Sequence, residues 1–464
     1  MTFTSWRRTA GELTLPGRPF LWGGRGEREL SGEQAWARIH GDLDDLGWTS
    51  SARWAERDGP STAQCILRDG GGTEVELGVG AGKGRLDVAL VGSHFEALEH
   101  AVTGPSWAEG LPVTTTLRGD PELTGAWAGE EWVGLLPDTA RLTTLRATAL
   151  GPGEDFPAPV FRSAPWLLDD TPEVDLLRRR TGDDTDYRAV AAYASNSGSA
   201  IGATADEAIL HGLNEAVERD ALSLFLLLHV LGGGPVPPRL TVPEEDHELA
   251  ACLASAEEAL GSPIAVLDIT TDLGIPTVLC LAGTGTATPV YGSGASLDPR
   301  VAVERALTEI VQGHLLRRAV QDPGGTQASG ATRPTGPGPH YLRLAREQSV
   351  QHQAVQDRFV SQPALLRCAT LRLGDLSPPE RVEPVPERAA CDQPLSVPDQ
   401  VAAVVRRLED AGHRVGWVPL HTFGSGTTVG QVHVPGLESF HQVLVGHAPR
   451  PGARARRLRE RVQV

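Results

Sequence analysis

The chain has 464 residues, 40% of them hydrophobic and 22% charged. It is long enough for a large core, with room for roughly two to four ordinary domains. A formal net charge of −17 excludes a general nucleic-acid binder, because neutralising phosphates takes a basic surface, but it leaves room for a nucleotide in a local basic or magnesium-filled pocket. Cys65, Cys252, Cys280, Cys368 and Cys391 are scattered without a CxxC pair, which removes zinc-ribbon and thioredoxin readings and suits a reducing, cytoplasmic setting. No charged-then-apolar segment opens the sequence. The longest apolar runs, such as Ala221–Leu231, are too short to span a membrane, so no membrane partner is expected.

In chain order, the first sixty or so residues mix Trp, Arg and Gly around one amphipathic stretch, Gly32–Leu46, and read as a lead-in segment over 1–75. Thr73–Val79 alternates like a strand and runs into Gly80-Ala81-Gly82-Lys83-Gly84, ahead of a helix over Leu86–Val102. Tyr187–Ala194 leads to the small-residue loop Ser195–Gly202. A long helix pattern then runs from Ala205 to Leu231, with Thr204 as N-cap and Asp206 and Glu207 in the first turn, where the helix dipole favours acids. Ile264–Ile269 and Thr277–Ala282 read as buried strands around the turn Asp272–Pro276, and Gly292-Ser293-Gly294 precedes a helix over Pro299–Arg318. Asp322–His340, rich in Gly, Pro, Ser and Thr, reads as a mobile surface loop. A helix over Val397–Ala411, a strand over Arg414–Pro419 and a basic tail over 451–464 complete the pass. The run Arg178-Arg179-Arg180 reads as a solvated loop, and Asp186-Tyr187 as a candidate lining of a peptide groove.

Three of these helices share a small pattern. The first carries Glu96 and Glu99, the second Glu215 and Glu218 followed by Arg219, the third Glu309 and Gln312. A spacing of three sets each pair on one helix face, one turn apart, within otherwise apolar segments. Like charges beside a core are costly unless a cation neutralises them, and Mg²⁺ favours carboxylate oxygens shared with substrate phosphates. A single ExxE is usually a solvated face, and GAGKG is not a P-loop, which needs GxxxxGK[ST]. Only the recurrence points to a Mg²⁺–ATP site.

Taken together, the ordered blocks resemble the YcaO family. Gly82-Lys83-Gly84, Ala89, Ser93, Glu96 and Glu99 are similar to its GKG…A…S…ExxER element, with His100 where Arg is usual. Ser195-Asn196 through Gly198–Thr204, Glu207-Ala208 and Glu215–Ala221 resemble SNGxAxGNT…EA…ExxERDA, with Ser197 inserted and Ala203 where many members carry Asn. Gly294-Ala295, Asp298-Pro299 and Arg305–Gln312 resemble GAH…DP…RALTExxQ. Asp268–Pro276 resembles the strand–turn–strand between them, and Val434–Glu438 the late VPGLE motif.

The resemblance covers roughly Glu76 to Arg450 and implies a catalytic domain over 76–450. The implied fold is the family's mixed α/β one, with ATP held between helices. It implies Mg²⁺ held by Glu96, Glu99, Glu215 and Glu218, and a nucleotide site including Lys83, Ser93, Glu96, Asn196, Glu207, Glu215, Arg219, Glu309 and Gln312. Arg219 and Glu218 are the implied catalytic residues. The implied activity is ATP-dependent activation of backbone amides in a ribosomally synthesised precursor peptide, by phosphorylation of the amide oxygen. A side-chain nucleophile would give an azoline, external sulfide a thioamide, and a backbone amine a macrocyclic amidine. The chain ends without the proline-rich PxPxP tail of many azoline formers and resembles the stand-alone members of bottromycin-type pathways. The macroamidine is therefore the preferred product. The alternatives are azoline formation, thioamide formation with a companion protein, and, in another class, a non-catalytic peptide-binding scaffold. A homodimer is the family-level expectation.

Overall fold

The computed structural model describes residues 4–7, 26–55, 59–282, 290–321, 354–371, 381–386 and 395–462; the Asp322–His340 stretch and Cys391 lie outside them. Among the described residues the strands form three sheets. The first is an antiparallel meander of β1 (Thr4–Arg7), β2 (Thr49–Ala55), β3 (Ser61–Arg68) and β4 (Glu74–Gly84). Helix α1 (Gly32–Asp45) starts at a capping box, in which Ser31 accepts from the Gln34 N–H and Gln34 accepts from the Ser31 N–H. Its Trp36, Ile39 and Leu43 share one core with Cys65 and Leu67 of β3 and with Leu90 and Leu98 of α2 (Leu86–Val102). A cut at residue 75 would fall inside β4, and the segment from 26 onward is packed into the domain.

The second sheet runs β5 (Thr114–Leu117), β6 (Arg141–Ala149), β14 (Gly416–Thr422), β15 (Thr428–His433), β8 (Ser199–Gly202), with β7 (Phe156–Pro159) paired to β6. Helices α3 (Pro121–Ala126) and α4 (Pro172–Thr181) lie in the same stretch of chain, and α5 (Ala205–Phe225) leaves β8 and continues as a π-helical turn, Leu226–Leu231. The third sheet runs β12 (Val290–Ala295), β11 (Thr277–Ala282), β10 (Ile264–Asp268), β9 (Arg239–Thr241), β13 (Val382–Pro384). It is accompanied by α6 (His247–Leu260) and α7 (Pro299–Gln321). Helices α8 (Pro363–Thr370), α9 (Val397–Asp410) and α10 (Ala453–Val462) follow.

Two glycine pairs fix how strands meet helices. A Cβ on Gly80 or Gly82 of β4 would overlap the α2 backbone at Ser93, Ala97 and Ala89, and one on Gly292 or Gly294 of β12 would overlap α7 at Ala302 and Ala306. Only glycine lets strand and helix backbones touch there. Because side chains alternate along a strand, the residues between and beside the glycines face the other way. Lys83 and Ser293 therefore point away from their own helices, and each meets an acid on a neighbouring one. Helix α2 contacts β4 and β8, α5 contacts β8, β15 and β12, and α7 contacts β4 and β12. The three acid-bearing helices thus lie along the seams between the sheets.

The arginine run is not a loop. It forms the last turn of α4, where Arg178 stacks on Tyr187 with 5.2 Å to the ring centre and Arg180 donates to the carbonyls of residues 108, 109 and 111. Tyr187 is buried and donates to Asp183 at 2.6 Å, so it lines no open groove. The basic tail is a helix rather than a loose end, and its Arg454 is buried. No helix among the described residues is long and apolar enough to cross a membrane.

Candidate nucleotide and metal site

Lys83 is the only lysine in the sequence, and its Nζ lies 2.6 Å from Glu309 Oε2 on α7. Gln312, one turn further on, donates to the Ala81 carbonyl at 2.6 Å. That carbonyl is available because β4 is the edge strand of its sheet. On α5, Glu218 accepts from Ser293 at 2.7 Å. Glu215 accepts from the Gly198 N–H at 3.3 Å and pairs with Arg219 at 3.4 Å. From α2, Glu96 and Glu99 face Glu215. Helices that are remote in sequence thus turn their paired polar side chains toward one another.

The result is a cleft crowded with negative charge. Glu99, 9% exposed, is nearly enclosed, whereas the Glu96 side chain is 42% exposed and open to solvent. Burial raises the pKa of all four glutamates. Glu99 reaches about 7, with Glu215 and Glu96 adding repulsion to burial and His100 opposing it. For Glu218 the second contribution is repulsion from Glu309. His100, where Arg is usual, has Nδ1 2.8 Å from the Val79 carbonyl oxygen and Nε2 4.0 Å from Glu96. Burial lowers its pKa, but Glu96, Glu99, the Val79 carbonyl and Glu215 together raise it more. Arg219 is likewise held charged against burial by Glu215, Glu218 and Glu309. Two cations and one histidine face five carboxylates, and that imbalance invites a hard cation.

Two expected residues stand apart. Ser93 is fully buried beneath the glycine crossing and donates to the Leu90 carbonyl of its own helix at 2.8 Å. Glu207 accepts from the backbone N–H groups of Glu29 at 2.7 Å, Leu30 at 3.4 Å and Ala203 at 3.3 Å, so it anchors the strap before α1 to the start of α5. Asn196 is exposed on the loop that ends at Gly198.

Sequence reasoning missed Glu27, which accepts from Ser296 at 2.7 Å and Asn214 at 3.2 Å and pairs with Arg305, tying the strap to α5 and α7. It also missed a half-open pocket beside Arg219, walled by Trp127, Arg162, Ser195, Ser197, His433 and His441. The sequence signals nearest it were the Ser195–Ala221 block, with Ser195, Ala216 and Arg219 in its wall, and the Val434–Glu438 motif, whose Val434, Leu437 and Glu438 also line it.

The profile of the family described as YcaO cyclodehydratase, ATP- and Mg²⁺-binding, matches residues 174–438, more than half of the chain. The chain belongs to the YcaO family. A Methanothermobacter thermautotrophicus protein described only as uncharacterized is 36% identical over 122 residues, 25% of this chain and 30% of that one. An uncharacterized protein in the tfuA 3′ region of Rhizobium leguminosarum bv. trifolii is 33% identical over 141 residues, 26% of this chain and 30% of that one. The chain thus matches about 30% of the length of these curated relatives.

Among solved structures, YcaO from Methanopyrus kandleri bound with AMPPCP and Mg²⁺ aligns with TM-score 0.59 at 21% identity, over 93% of this chain and 98% of that one. A heterocyclase in complex with substrate and cofactor aligns at 0.56 and 19% identity, over 90% of this chain and 53% of that one. The E. coli microcin synthetase McbBCD complex gives 0.51 and 15%, over 82% of this chain and 86% of that one. These likenesses show the mixed α/β YcaO-type fold.

ATP and Mg²⁺ are the cofactors of this family, and the donor set fits them. Oxygen donors dominate, and Lys83 and Arg219 are the cations paired with them. Among the described residues, no three His, Cys, Asp or Glu side chains converge closely enough to hold a metal by themselves. Mg²⁺ takes one or two carboxylates per ion and completes its shell with waters and phosphate oxygens.

Proposed function

We propose that the chain uses ATP and Mg²⁺ to activate a backbone amide of a ribosomally synthesised precursor peptide, by phosphorylation of the amide oxygen. The observation that carries this is the cleft in which α2, α5 and α7 gather Glu96, Glu99, Glu215, Glu218, Glu309, Lys83 and Arg219. Glu96, Glu99, Glu215 and Glu218 would hold Mg²⁺. When bound, it offsets the charge of the carboxylates and of the phosphoryl group in transfer.

Lys83, Glu309 and Gln312 form one wall for the nucleotide, with Asn196 at the open side. Arg219 is aimed at the negative charge that grows during transfer, and Glu215 and Glu218 keep it ionised. Ser93 and Glu207 support from behind, by fixing α2 and the strap.

The finer proposal is that a backbone amine is the nucleophile and a macrocyclic amidine the product. A companion biosynthetic protein and a homodimer belong to the same proposal.

The test is mass spectrometry of a precursor peptide encoded beside the gene, incubated with the protein and Mg·ATP. Loss of one water, with fragmentation blocked across a ring, supports the amidine. Loss localised at Cys, Ser or Thr means an azoline, and an oxygen-to-sulfur exchange means a thioamide. Glu218→Gln should cut peptide-dependent ATP turnover by about a hundredfold or more. Full activity in that variant would refute the site, and an unmodified peptide with no ATP consumed would favour a binding scaffold.

A further inference from the structure

The amide-activation reading leaves one role unassigned: the group that takes the proton of the attacking nucleophile. We propose that His441 is this general base, acting through Nε2 from the cavity beside Arg219; the inference rests on that reading.

The cavity and the acidic cleft share a wall. Arg219 lines the cavity and pairs with Glu215 at 3.4 Å, and the Ser195–Ser197 loop lines it just before the Gly198 N–H reaches Glu215 at 3.3 Å. A substrate amide presented to the cleft at Arg219 therefore has this space beside it for the incoming nucleophile.

The hydrogen bonds around His441 fix its tautomer. Ser223 Oγ lies 2.7 Å from the Arg219 carbonyl oxygen and 3.2 Å from the Glu438 carbonyl oxygen, so its single proton is committed to a carbonyl. Toward His441 the Ser223 oxygen can only accept. It takes the backbone N–H at 2.9 Å and faces ring Nδ1 at 3.1 Å, which places the ring proton on Nδ1. Nε2 keeps its lone pair, with the Gln442 side-chain nitrogen at 3.2 Å and Ser197 Oγ at 3.4 Å as donors. Ser197 Oγ is 2.7 Å from Ser195 Oγ, so a hydroxyl chain leads from the base along the cavity wall.

Burial, then Arg219 and Arg162, keep this imidazole well below its ordinary pKa and hence neutral. His441 gains basicity when phosphate charge offsets Arg219, which ties proton removal to a loaded site. The other titratable groups lining the cavity are His433, itself held down to about 3 by burial and Arg162, and Glu438, whose carboxylate is occupied by the Gly452 and Ala455 N–H groups.

The N–H, S–H or O–H bond of the nucleophile breaks, its proton goes to Nε2, and its electron pair forms the bond to the amide carbon. The amide oxygen takes the γ-phosphoryl group of ATP, leaving ADP, and departs as phosphate. Where a C=N bond forms, the former amide N–H proton is lost.

The test compares wild type, His441→Ala and Ser223→Ala on the peptide encoded beside the gene, with Mg·ATP. His441→Ala should lower kcat by about 10²- to 10⁴-fold, keep its affinity for Mg·AMPPCP, and recover activity with added imidazole. Turnover within about threefold of wild type would overturn the proposal. If His441→Ala does not fold, Ser223→Ala decides, since it leaves the imidazole but removes the partner that sets its tautomer. About a tenfold drop in kcat at constant KM is expected, and no change overturns the proposal. A wild-type protein that consumes no ATP with the peptide refutes the underlying reading instead. His441 is then judged by diethylpyrocarbonate labelling: acylation at neutral pH supports an accessible, unprotonated Nε2, and an unlabelled His441 contradicts it.

Discussion

Arg219 and Asp220 are neighbours on α5 and live in opposite electrostatic worlds. Asp220 is fully buried. Arg454 Nε lies 3.0 and 3.1 Å from its two carboxylate oxygens, and the Glu438 N–H donates at 2.9 Å. Arg454, 3% exposed, also reaches Asp272. Arg219 has a 3.4 Å contact with Glu215 in an open cleft that holds more acids than cations. A buried ion pair whose hydrogen bonds are all filled has nothing left to offer a ligand. A cluster with surplus charge and solvent access is incomplete until something binds. Two successive residues in one family motif thus part ways: one locks the VPGLE segment and α10 to α5, and the other faces the open acidic cleft.

The largest effect should come from breaking the locked side. Arg454→Met leaves Asp220 buried and unpaired, and should cost about 3–5 kcal/mol in chemical denaturation, because removing one partner of a buried pair exposes the desolvation cost of the other. Next comes pH. Burial raises Glu438 from the ordinary glutamate range to about 7. The native state then holds this proton more tightly than the unfolded chain does, so the group favours folding at low pH. That advantage is lost as pH rises from about 4.5 to about 7. Glu438→Gln should remove this part of the pH dependence, a difference of up to about 3 kcal/mol between the two stability curves. Parallel curves would show that the carboxyl is not held protonated.

On the open side the changes in stability should be small and those in function large. Lys83→Met removes the ion pair with Glu309, whose two side chains are 33% and 27% exposed, so stability should move by less than about 1 kcal/mol. Affinity for Mg·AMPPCP, read by calorimetry, should nevertheless fall about tenfold. The smallest effect expected is from Ser293→Ala, which removes a single hydrogen bond to Glu218 and should weaken nucleotide binding about threefold. If Lys83→Met destabilised the fold as much as Arg454→Met, the contrast between the two sides would fail.

The sequence carried the helices and their charged faces well. The acids on α2, α5 and α7 obey local three-residue spacing, and Gly82-Lys83 announces a strand that crosses a helix and turns its next side chain away. Partners that depend on chain reversal were not legible. Glu27, in an unpatterned segment, has Asn214, Ser296 and Arg305 as partners, all remote in sequence. Glu207 resembled a site residue by motif, yet its carboxylate is occupied by three backbone N–H groups. Arg454 sat in a run of arginines whose composition resembles a solvated tail, and only the Asp220 pocket singles it out. His441 lies just past the Val434–Glu438 motif and outside it, and its partner Ser223 is on another element.

The most direct test of amide activation follows the oxygen. A precursor peptide carrying ¹⁸O in its backbone amides, turned over with unlabelled Mg·ATP, should release inorganic phosphate that contains ¹⁸O, because the amide oxygen departs on phosphorus. Modified peptide accompanied by unlabelled phosphate would contradict amide O-phosphorylation, and with it the role assigned to the cleft.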